Sequence, residues 1–69
     1  MQPIQISMEA ARVNAKLTQE EAAKKIEVSR ATIMNWESGK TLPTIPKLQK
    51  MAEVYGLSVD NIFLPANST

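Results

Sequence analysis

The side chains best suited to specific recognition lie between Ser29 and Ser38. At the angular spacing of an α-helix, Ile33 and Trp36 fall on one side of this segment. The other side, which we call the open face, carries a guanidinium, a carboxamide, a methyl group and a thioether: Arg30, Ala31, Met34, Asn35 and Ser38. These groups match the donors, acceptors and thymine methyl groups that the DNA major groove exposes. The pattern predicts one side packed against the protein and one side free to contact base pairs.

The same pattern fits an ordinary surface helix, because every such helix exposes polar residues. The preceding segment favours recognition. Thr18 and Glu21 have the spacing of a capping box, in which each side chain satisfies a backbone N–H of the other residue, so a short helix begins there. A tight turn at Glu27 and Val28 follows. A short helix, a tight turn and a second helix form the arrangement in which the first helix braces the second in a DNA groove.

The 69-residue chain contains no cysteine and no histidine. Disulfides and thiolate metal sites are therefore excluded, and the commonest general base and metal ligand is missing. We expect no enzyme activity, no metal and no cofactor. The net charge of +1 does not by itself indicate a nucleic-acid partner. Because no apolar run approaches the roughly 18 residues of a membrane helix, we expect a cytoplasmic protein with no membrane partner.

Caps and apolar spacing predict an all-α, compact fold of five helices. The hydroxyl groups that can cap helix starts belong to Ser7, Thr18, Ser29 and Ser58, and the fourth helix is expected to begin from Thr44. Gly39 and Gly56 are expected to end the third and fourth helices. The apolar stripes of the last two helices are Ile45, Leu48, Met51, Ala52 and Tyr55, then Val59, Ile62 and Phe63. We expect one domain over residues 1–64, with the recognition motif at about 18–38, and a flexible tail over 65–69.

Four blocks of sequence resemble the lambda-repressor-like helix-turn-helix domains of phage repressors, Cro-type proteins and many bacterial regulators. The resemblance spans about residues 6–63. Its most specific parts are the blocks at residues 17–23, 28–33, 36–40 and 57–60, which read LTQEEAA, VSRATI, WESGK and LSVD.

The resemblance implies that the third helix, residues 29–38, enters the major groove of DNA. The residues at base-contacting positions are then Arg30, Ala31 and Asn35. Contacts to the DNA backbone are implied for Gln19, Ser29, Thr32, Lys40 and the loop up to Pro43. An ion pair between Arg12 and Glu37 is implied as well, and both residues border apolar stripes. Met34 stands at a position equally suited to a thymine methyl group and to a protein partner.

Two residues depart from the family pattern. Glu27 stands in the turn where the family usually has glycine, and a left-handed conformation there costs a residue with a side chain roughly 1 kcal/mol. Lys40 is the only basic residue in the loop after Gly39. The dependence of DNA affinity on salt is therefore expected to be shallow.

The sequence therefore predicts a Cro-like or phage-type repressor of double-stranded operator DNA, acting as a weak homodimer on a two-fold site. Dimer contacts are expected from the apolar run of Ile62, Phe63 and Leu64, although the same run can instead close the core. The alternative is a small protein-interaction module that uses this scaffold to bind and modulate another repressor, or an antitoxin.

Overall fold

The computed structural model describes residues 4–65 of the chain. It contains, in chain order, β1 (Ile6–Ser7), α1 (Met8–Asn14), α2 (Gln19–Ile26), α3 (Arg30–Ser38), α4 (Ile45–Tyr55), a 3-10 helix (Val59–Asn61) and β2 (Ile62–Phe63). The mostly helical fold agrees with the prediction, but the count of five α-helices is wrong. The fifth segment is a single 3-10 turn, because Ile62 takes an extended backbone conformation to pair with β1.

Side-chain hydroxyl groups fix where the α-helices begin. Ser7, Thr18, Ser29 and Thr44 each have an extended backbone, and each accepts a hydrogen bond from an N–H of the first turn. The capping box of α2 is complete, since Thr18 Oγ1 accepts from Glu21 N at 3.0 Å and Glu21 Oε1 accepts from Thr18 N at 2.9 Å. These starts are the ones that the sequence predicts.

Left-handed residues end three of the α-helices. Gly39 and Gly56 have φ values of 82° and 72°, as predicted for the ends of α3 and α4. Glu27 ends α2 at φ 68° although it carries a side chain. Lys16, just after α1, also has a positive φ of 62°, which the sequence did not indicate.

The core lies between α2, α3 and α4, with α1 packed across them. Ala22 and Ala23 are buried, and their small side chains bring α2 close to its neighbours. The most completely buried large side chains are Ile26, Ile33 and Met51. Ile45 is 72% exposed, so its assignment to the apolar stripe of the fourth helix was wrong. It is the first residue of α4, beyond the point where the other helices cover that face.

The two ends of the described chain pair in a short parallel sheet, which was not predicted. Ile6 is opposite Ile62, and Ser7 is opposite Phe63. Asn61 Nδ2 reinforces the pairing by donating to Ile4 O at 3.0 Å. The sheet joins β1, immediately before α1, to the segment that follows α4.

The apolar run expected to form dimer contacts is divided by this pairing. Ile62 is 3% exposed and closes the core, which was the alternative interpretation, so Ile62 offers no surface to a second copy. Phe63 is 49% exposed, and Leu64 is half-buried. Pro65 lies near Gly39, while the rest of the predicted tail, positions 66–69, falls outside the described residues. Among residues 4–65, no helix is long and apolar enough to cross a membrane.

Candidate nucleic-acid interface

The open face of α3 points away from the core. Arg30, Ala31, Met34 and Ser38 are exposed, and Asn35 is half-buried. On the opposite side of the helix, Ile33 is 1% exposed and Trp36 is 5% exposed. The helix therefore presents its recognition-type side chains on one side and is anchored by two large apolar side chains on the other.

Hydrogen bonds at the turn between α2 and α3 fix the orientation of one helix relative to the other. Glu27 adopts the left-handed conformation, and Val28 N donates to Ala23 O at 2.9 Å. Lys47 from α4 reaches the same turn, where its Nζ donates to Ile26 O at 3.5 Å and to Glu27 O at 3.4 Å. An ammonium group at the carbonyl end of α2 is favourable for the helix dipole as well as for the free carbonyl groups.

Arg12 and Glu37 form a nearly buried ion pair beneath α3. Arg12 Nε donates to Glu37 Oε2 at 2.7 Å, and the side chains are 11% and 7% exposed. Arg12 Nη2 donates to Glu37 Oε1 at 3.3 Å, while Arg12 Nη1 donates to Leu17 O at 2.9 Å. The hydrogen bond to Glu37 raises the pKa of the Arg12 guanidinium against the opposing effect of desolvation. The pair thus ties the end of α1 to the last turn of α3.

Gln19 links this ion pair to the open face. Its Nε2 donates to Glu37 Oε1 at 3.1 Å, and its Oε1 accepts from Arg30 Nη2 at 3.5 Å. A shallow depression lies beside this link and is lined by Arg12, Thr18, Gln19, Glu20 and Arg30. Two guanidinium groups and the amino end of α2 therefore meet at one edge of the open face.

The other residues expected to contact the DNA backbone lie around the same helix. Ser29 is exposed and caps α3, and its Oγ lies 2.9 Å from Thr32 Oγ1. Thr32 is half-buried in the first turn. Lys40 is exposed directly after Gly39, and its backbone N–H donates to Asn35 O at 2.9 Å. These residues border both ends of α3, where phosphate groups flank a helix that lies in a groove.

Comparison with known proteins identifies the family. The family model described as Helix-turn-helix matches residues 8–62. The chain belongs to the lambda-repressor-like helix-turn-helix family.

The curated relatives of this helix-turn-helix protein are transcriptional regulators. An uncharacterised HTH-type transcriptional regulator of Methanocaldococcus jannaschii is 44% identical over 48 residues, which are 70% of this chain and 73% of the relative. An uncharacterised HTH-type transcriptional regulator of Archaeoglobus fulgidus is 38% identical over 53 residues, which are 77% of this chain and 75% of the relative. The HTH-type transcriptional activator BcrR of Enterococcus faecalis is 35% identical over 51 residues, which are 74% of this chain but 25% of BcrR.

No solved structure matches the chain. The family and its relatives establish that this helix-turn-helix protein is a DNA-binding transcriptional regulator. Within the described part of the chain, no group of three or more acidic side chains is placed to hold a metal ion.

Two side-chain contacts of this helix-turn-helix domain were not found from the sequence. Lys47 caps the carbonyl end of α2 across 21 residues of sequence, a contact that the sequence did not predict. The bond from Gln19 to Glu37 was likewise not predicted, because the two residues are 18 positions apart. Helical spacing does not predict such contacts. The residues that begin and end the helices, in contrast, can be identified from the neighbouring sequence.

Proposed function

We propose that the protein is a sequence-specific regulator that places α3 in the major groove of double-stranded operator DNA. The observation that carries this proposal is the open face, whose exposed side chains are neither Lys nor Glu, the usual choices for solubility. Because Ile33 and Trp36 anchor the other side, α3 can enter a groove without losing its contacts with the core.

Each side chain of the open face suits a different feature of a base pair. The Arg30 guanidinium can donate two hydrogen bonds to O6 and N7 of a guanine. The Asn35 carboxamide can donate to N7 and accept from N6 of an adenine. Ala31 and Met34 offer apolar contacts for thymine methyl groups. Together, the four residues would select a short DNA sequence that contains more than one kind of base pair.

Contacts to phosphate groups position this helix. We assign them to Gln19, Ser29, Thr32 and Lys40, which lie at the two ends of α3 and at the amino end of α2. Gln19 has a second amide hydrogen besides the one it donates to Glu37, so it can still reach a phosphate oxygen. Two copies bound weakly to a two-fold operator would place their α3 helices about 34 Å apart.

We infer repression as the regulatory outcome, of the Cro-like or phage-repressor type, in the cytoplasm where the operator is found. A dimer bound at an operator that overlaps a promoter competes with polymerase for that promoter. One relative, BcrR, is named as an activator. A promoter-reporter assay decides between the two outcomes: repression predicts lower reporter output when the protein is present, and higher output contradicts it.

Selection from a randomised duplex library tests DNA recognition. The wild-type protein is expected to enrich one sequence family, and Arg30→Ala is expected to relax the preference at one base pair by about 1 to 3 kcal/mol. Lys50→Ala serves as a charge-matched control, because Lys50 is exposed on α4. If Arg30→Ala weakens binding to every sequence equally, Arg30 contacts a phosphate instead. Failure of the wild-type protein to enrich any duplex would contradict the proposal.

A second candidate function is binding of another regulatory protein, such as a partner repressor or a toxin. The 45% exposed Met34 on the open face and the net charge of +1 favour it. Thioether side chains adapt to varied apolar surfaces. Absence of any shift with DNA flanking its gene, together with capture of the purified product of a neighbouring gene and loss of capture in Met34→Gln, would support this function over DNA binding.

A further inference from the structure

Met34 is an exposed thioether on the open face of α3. It is 45% exposed, whereas Met8 and Met51 are 3% and 1% exposed. These three are the methionines among residues 4–65, so Met34 is the accessible thioether of the part of the chain that the structure describes. An oxidant in solution therefore reaches Met34 before it reaches the two methionines of the core.

The other side chains that are easily oxidised are absent or buried. The sequence contains no cysteine. Trp36 is 5% exposed and belongs to the core, where its ring anchors the opposite side of α3. Within residues 4–65, oxidation in the folded protein is thus directed to the helix that carries the proposed base contacts.

A peroxide oxidises a thioether by transfer of one oxygen atom. With hydrogen peroxide, a lone pair of the sulfur attacks one peroxide oxygen, so that an S–O bond forms and the O–O bond breaks. The leaving hydroxide takes the proton of the transferred oxygen and departs as water. The sulfur loses two electrons to the peroxide, and the product is methionine sulfoxide. Reductase enzymes convert the sulfoxide back to the thioether.

Oxidation changes what Met34 presents to DNA. The thioether is apolar, whereas the sulfoxide carries a polar oxygen. In the proposed complex Met34 lies against a thymine methyl group, which has no hydrogen-bond donor for this oxygen. The oxygen would lose its water there without gaining a partner, and such a loss weakens binding about five- to a hundredfold.

The new oxygen also lies within reach of Arg30. Arg30 precedes Met34 by four residues in α3, and side chains at this spacing are neighbours on a helix. A sulfoxide oxygen accepts hydrogen bonds, so it offers the Arg30 guanidinium an acceptor on the protein itself. That bond would compete with the two hydrogen bonds that the guanidinium donates to guanine in the proposed complex. One modification therefore disturbs two base contacts.

We propose that Met34 is a site of reversible oxidation, through which a peroxide releases the regulator from its operator. The inference rests on the proposed DNA-binding function and adds a chemical signal that controls it. The modified form is the sulfoxide of Met34, and reduction of that sulfoxide restores binding.

The test treats the folded protein with hydrogen peroxide and then measures its affinity for the selected duplex by fluorescence anisotropy. Mass spectrometry of proteolytic peptides assigns each added oxygen to a methionine, and thermal unfolding checks that the treated protein is folded. We expect Met34 to gain oxygen before Met8 or Met51, and affinity to fall about five- to a hundredfold as Met34 is converted. Methionine sulfoxide reductases for both sulfoxide epimers should restore the affinity.

Three variants separate Met34 from the rest of the chain. Met34→Leu keeps an apolar side chain of similar size that peroxide does not oxidise, so it should bind the duplex equally before and after treatment. Met51→Leu is the matched control, because it removes a buried methionine and leaves Met34, and peroxide should weaken its binding as much as that of the wild type. Met34→Gln places an amide oxygen at the same position and should bind weakly without treatment.

Two results overturn the inference while leaving the proposed function intact. In the first, protein with Met34 fully converted to the sulfoxide binds the duplex as tightly as untreated protein. In the second, peroxide weakens the binding of Met34→Leu as much as that of the wild type. If the untreated wild-type protein selects no duplex at all, the proposed function itself is wrong.

Discussion

Arg12 and Glu37 place two opposite charges where the side chains are only 11% and 7% exposed. Removing both from water is costly, and the hydrogen bonds offset that cost only while both partners are present. Glu37 accepts from Arg12 through two atoms and from Gln19, and Arg12 also satisfies the carbonyl of Leu17. The pair is therefore more important for keeping α1 and α3 in one arrangement than for adding net stability.

Replacement of Arg12 alone is expected to be severely destabilising. Arg12→Met leaves the Glu37 carboxylate nearly buried with Gln19 as its remaining side-chain donor, and loss of one partner of a buried pair costs about 3 to 5 kcal/mol. That is a large part of the stability of a domain this small. Denaturation with urea, followed by circular dichroism, measures the loss.

The double variant Arg12→Met/Glu37→Leu supplies the control. Because it removes both charges, its free energy of unfolding should recover most of the loss caused by Arg12→Met. The single variant Glu37→Leu completes the comparison. If the losses in free energy of unfolding of Arg12→Met and Glu37→Leu add up in the double variant, the two side chains act independently and burial of the pair is not the cause.

Ionisation of Tyr55 is expected to lower the stability of the folded protein at alkaline pH. Burial raises the pKa of the Tyr55 hydroxyl from 10.0 to about 12, and the nearby Glu37 carboxylate adds to the shift. In the unfolded chain the phenol ionises above pH 10, whereas in the folded protein it stays protonated until about pH 12. Its contribution to stability is therefore complete below pH 10 and is lost as the pH rises towards 12.

Tyr55→Phe removes this titration. Between pH 9 and pH 11.5 the thermal midpoint of the wild type is expected to fall more steeply than that of the variant. Absorbance at 295 nm, which follows tyrosinate, should show ionisation of the wild type in step with unfolding. Equal slopes for the two proteins would contradict the assigned shift.

At the scale of elements, the turn after α2 carries strain at Glu27. Its φ of 68° and ψ of 48° lie in the left-handed region, which costs a residue with a side chain about 1 to 2 kcal/mol. Glycine removes that cost and adds about 0.5 to 1 kcal/mol of lost chain entropy. Glu27→Gly is thus expected to leave the thermal midpoint unchanged or to raise it by up to about 5 °C.

Glu53→Gly is the matched control for this variant. Glu53 is an exposed residue within α4, where glycine is expected to lower stability by about 1 kcal/mol. Scanning calorimetry of both variants compares the same substitution in two conformations. A fall in the midpoint of Glu27→Gly as large as that of Glu53→Gly would show that the Glu27 side chain makes a stabilising contact.

The elements that could be predicted are those whose limits are local. Ser7, Thr18 and Ser29 mark helix starts because a hydroxyl group reaches a backbone N–H three residues away, and that spacing is visible in the sequence. The 3-10 helix was taken for an α-helix because Ser58 caps it in the same way. The 3-10 helix is short because Ile62 pairs with Ile6, and no local pattern in the sequence predicts this pairing.

Some features of the candidate site follow from local spacing in the sequence, and others depend on the folded structure. The open face of α3 follows from helical spacing, since Ile33 and Trp36 had to be buried together. The bridge from Glu37 through Gln19 to Arg30 joins α2 to both ends of α3, so the sequence alone assigned its residues separate roles. The exposure of Ile45 was missed for a related reason: periodicity places it on the stripe of α4, but only the packed molecule shows that no neighbour covers that end.

At the scale of the whole molecule, the formal charge of +1 limits non-specific attraction to DNA. Affinity is expected to fall with salt in proportion to the number of phosphate groups that the protein neutralises. Lys40 is the basic residue assigned to the loop after α3, so Lys40→Gln should lower the slope of log affinity against log salt by about 0.9.

Lys50→Gln removes an equal charge from the exposed surface of α4 and should leave the salt slope unchanged. Fluorescence anisotropy with one duplex at several salt concentrations gives both slopes. Equal decreases for the two variants would show that overall charge, and not a contact by Lys40, controls binding.

The central claim is that α3 meets base pairs with its open face, and a nitrogen-15 NMR titration with the selected duplex tests it most directly. We expect the largest shift changes at residues 29–38, including the Arg30 and Asn35 side-chain signals, with smaller changes at Gln19 and Lys40. The amides of Gln49 and Glu53 on the exposed surface of α4 should stay unchanged. Changes centred on α4 or on the paired strands, with the Arg30 and Asn35 signals unmoved at saturation, would contradict the account.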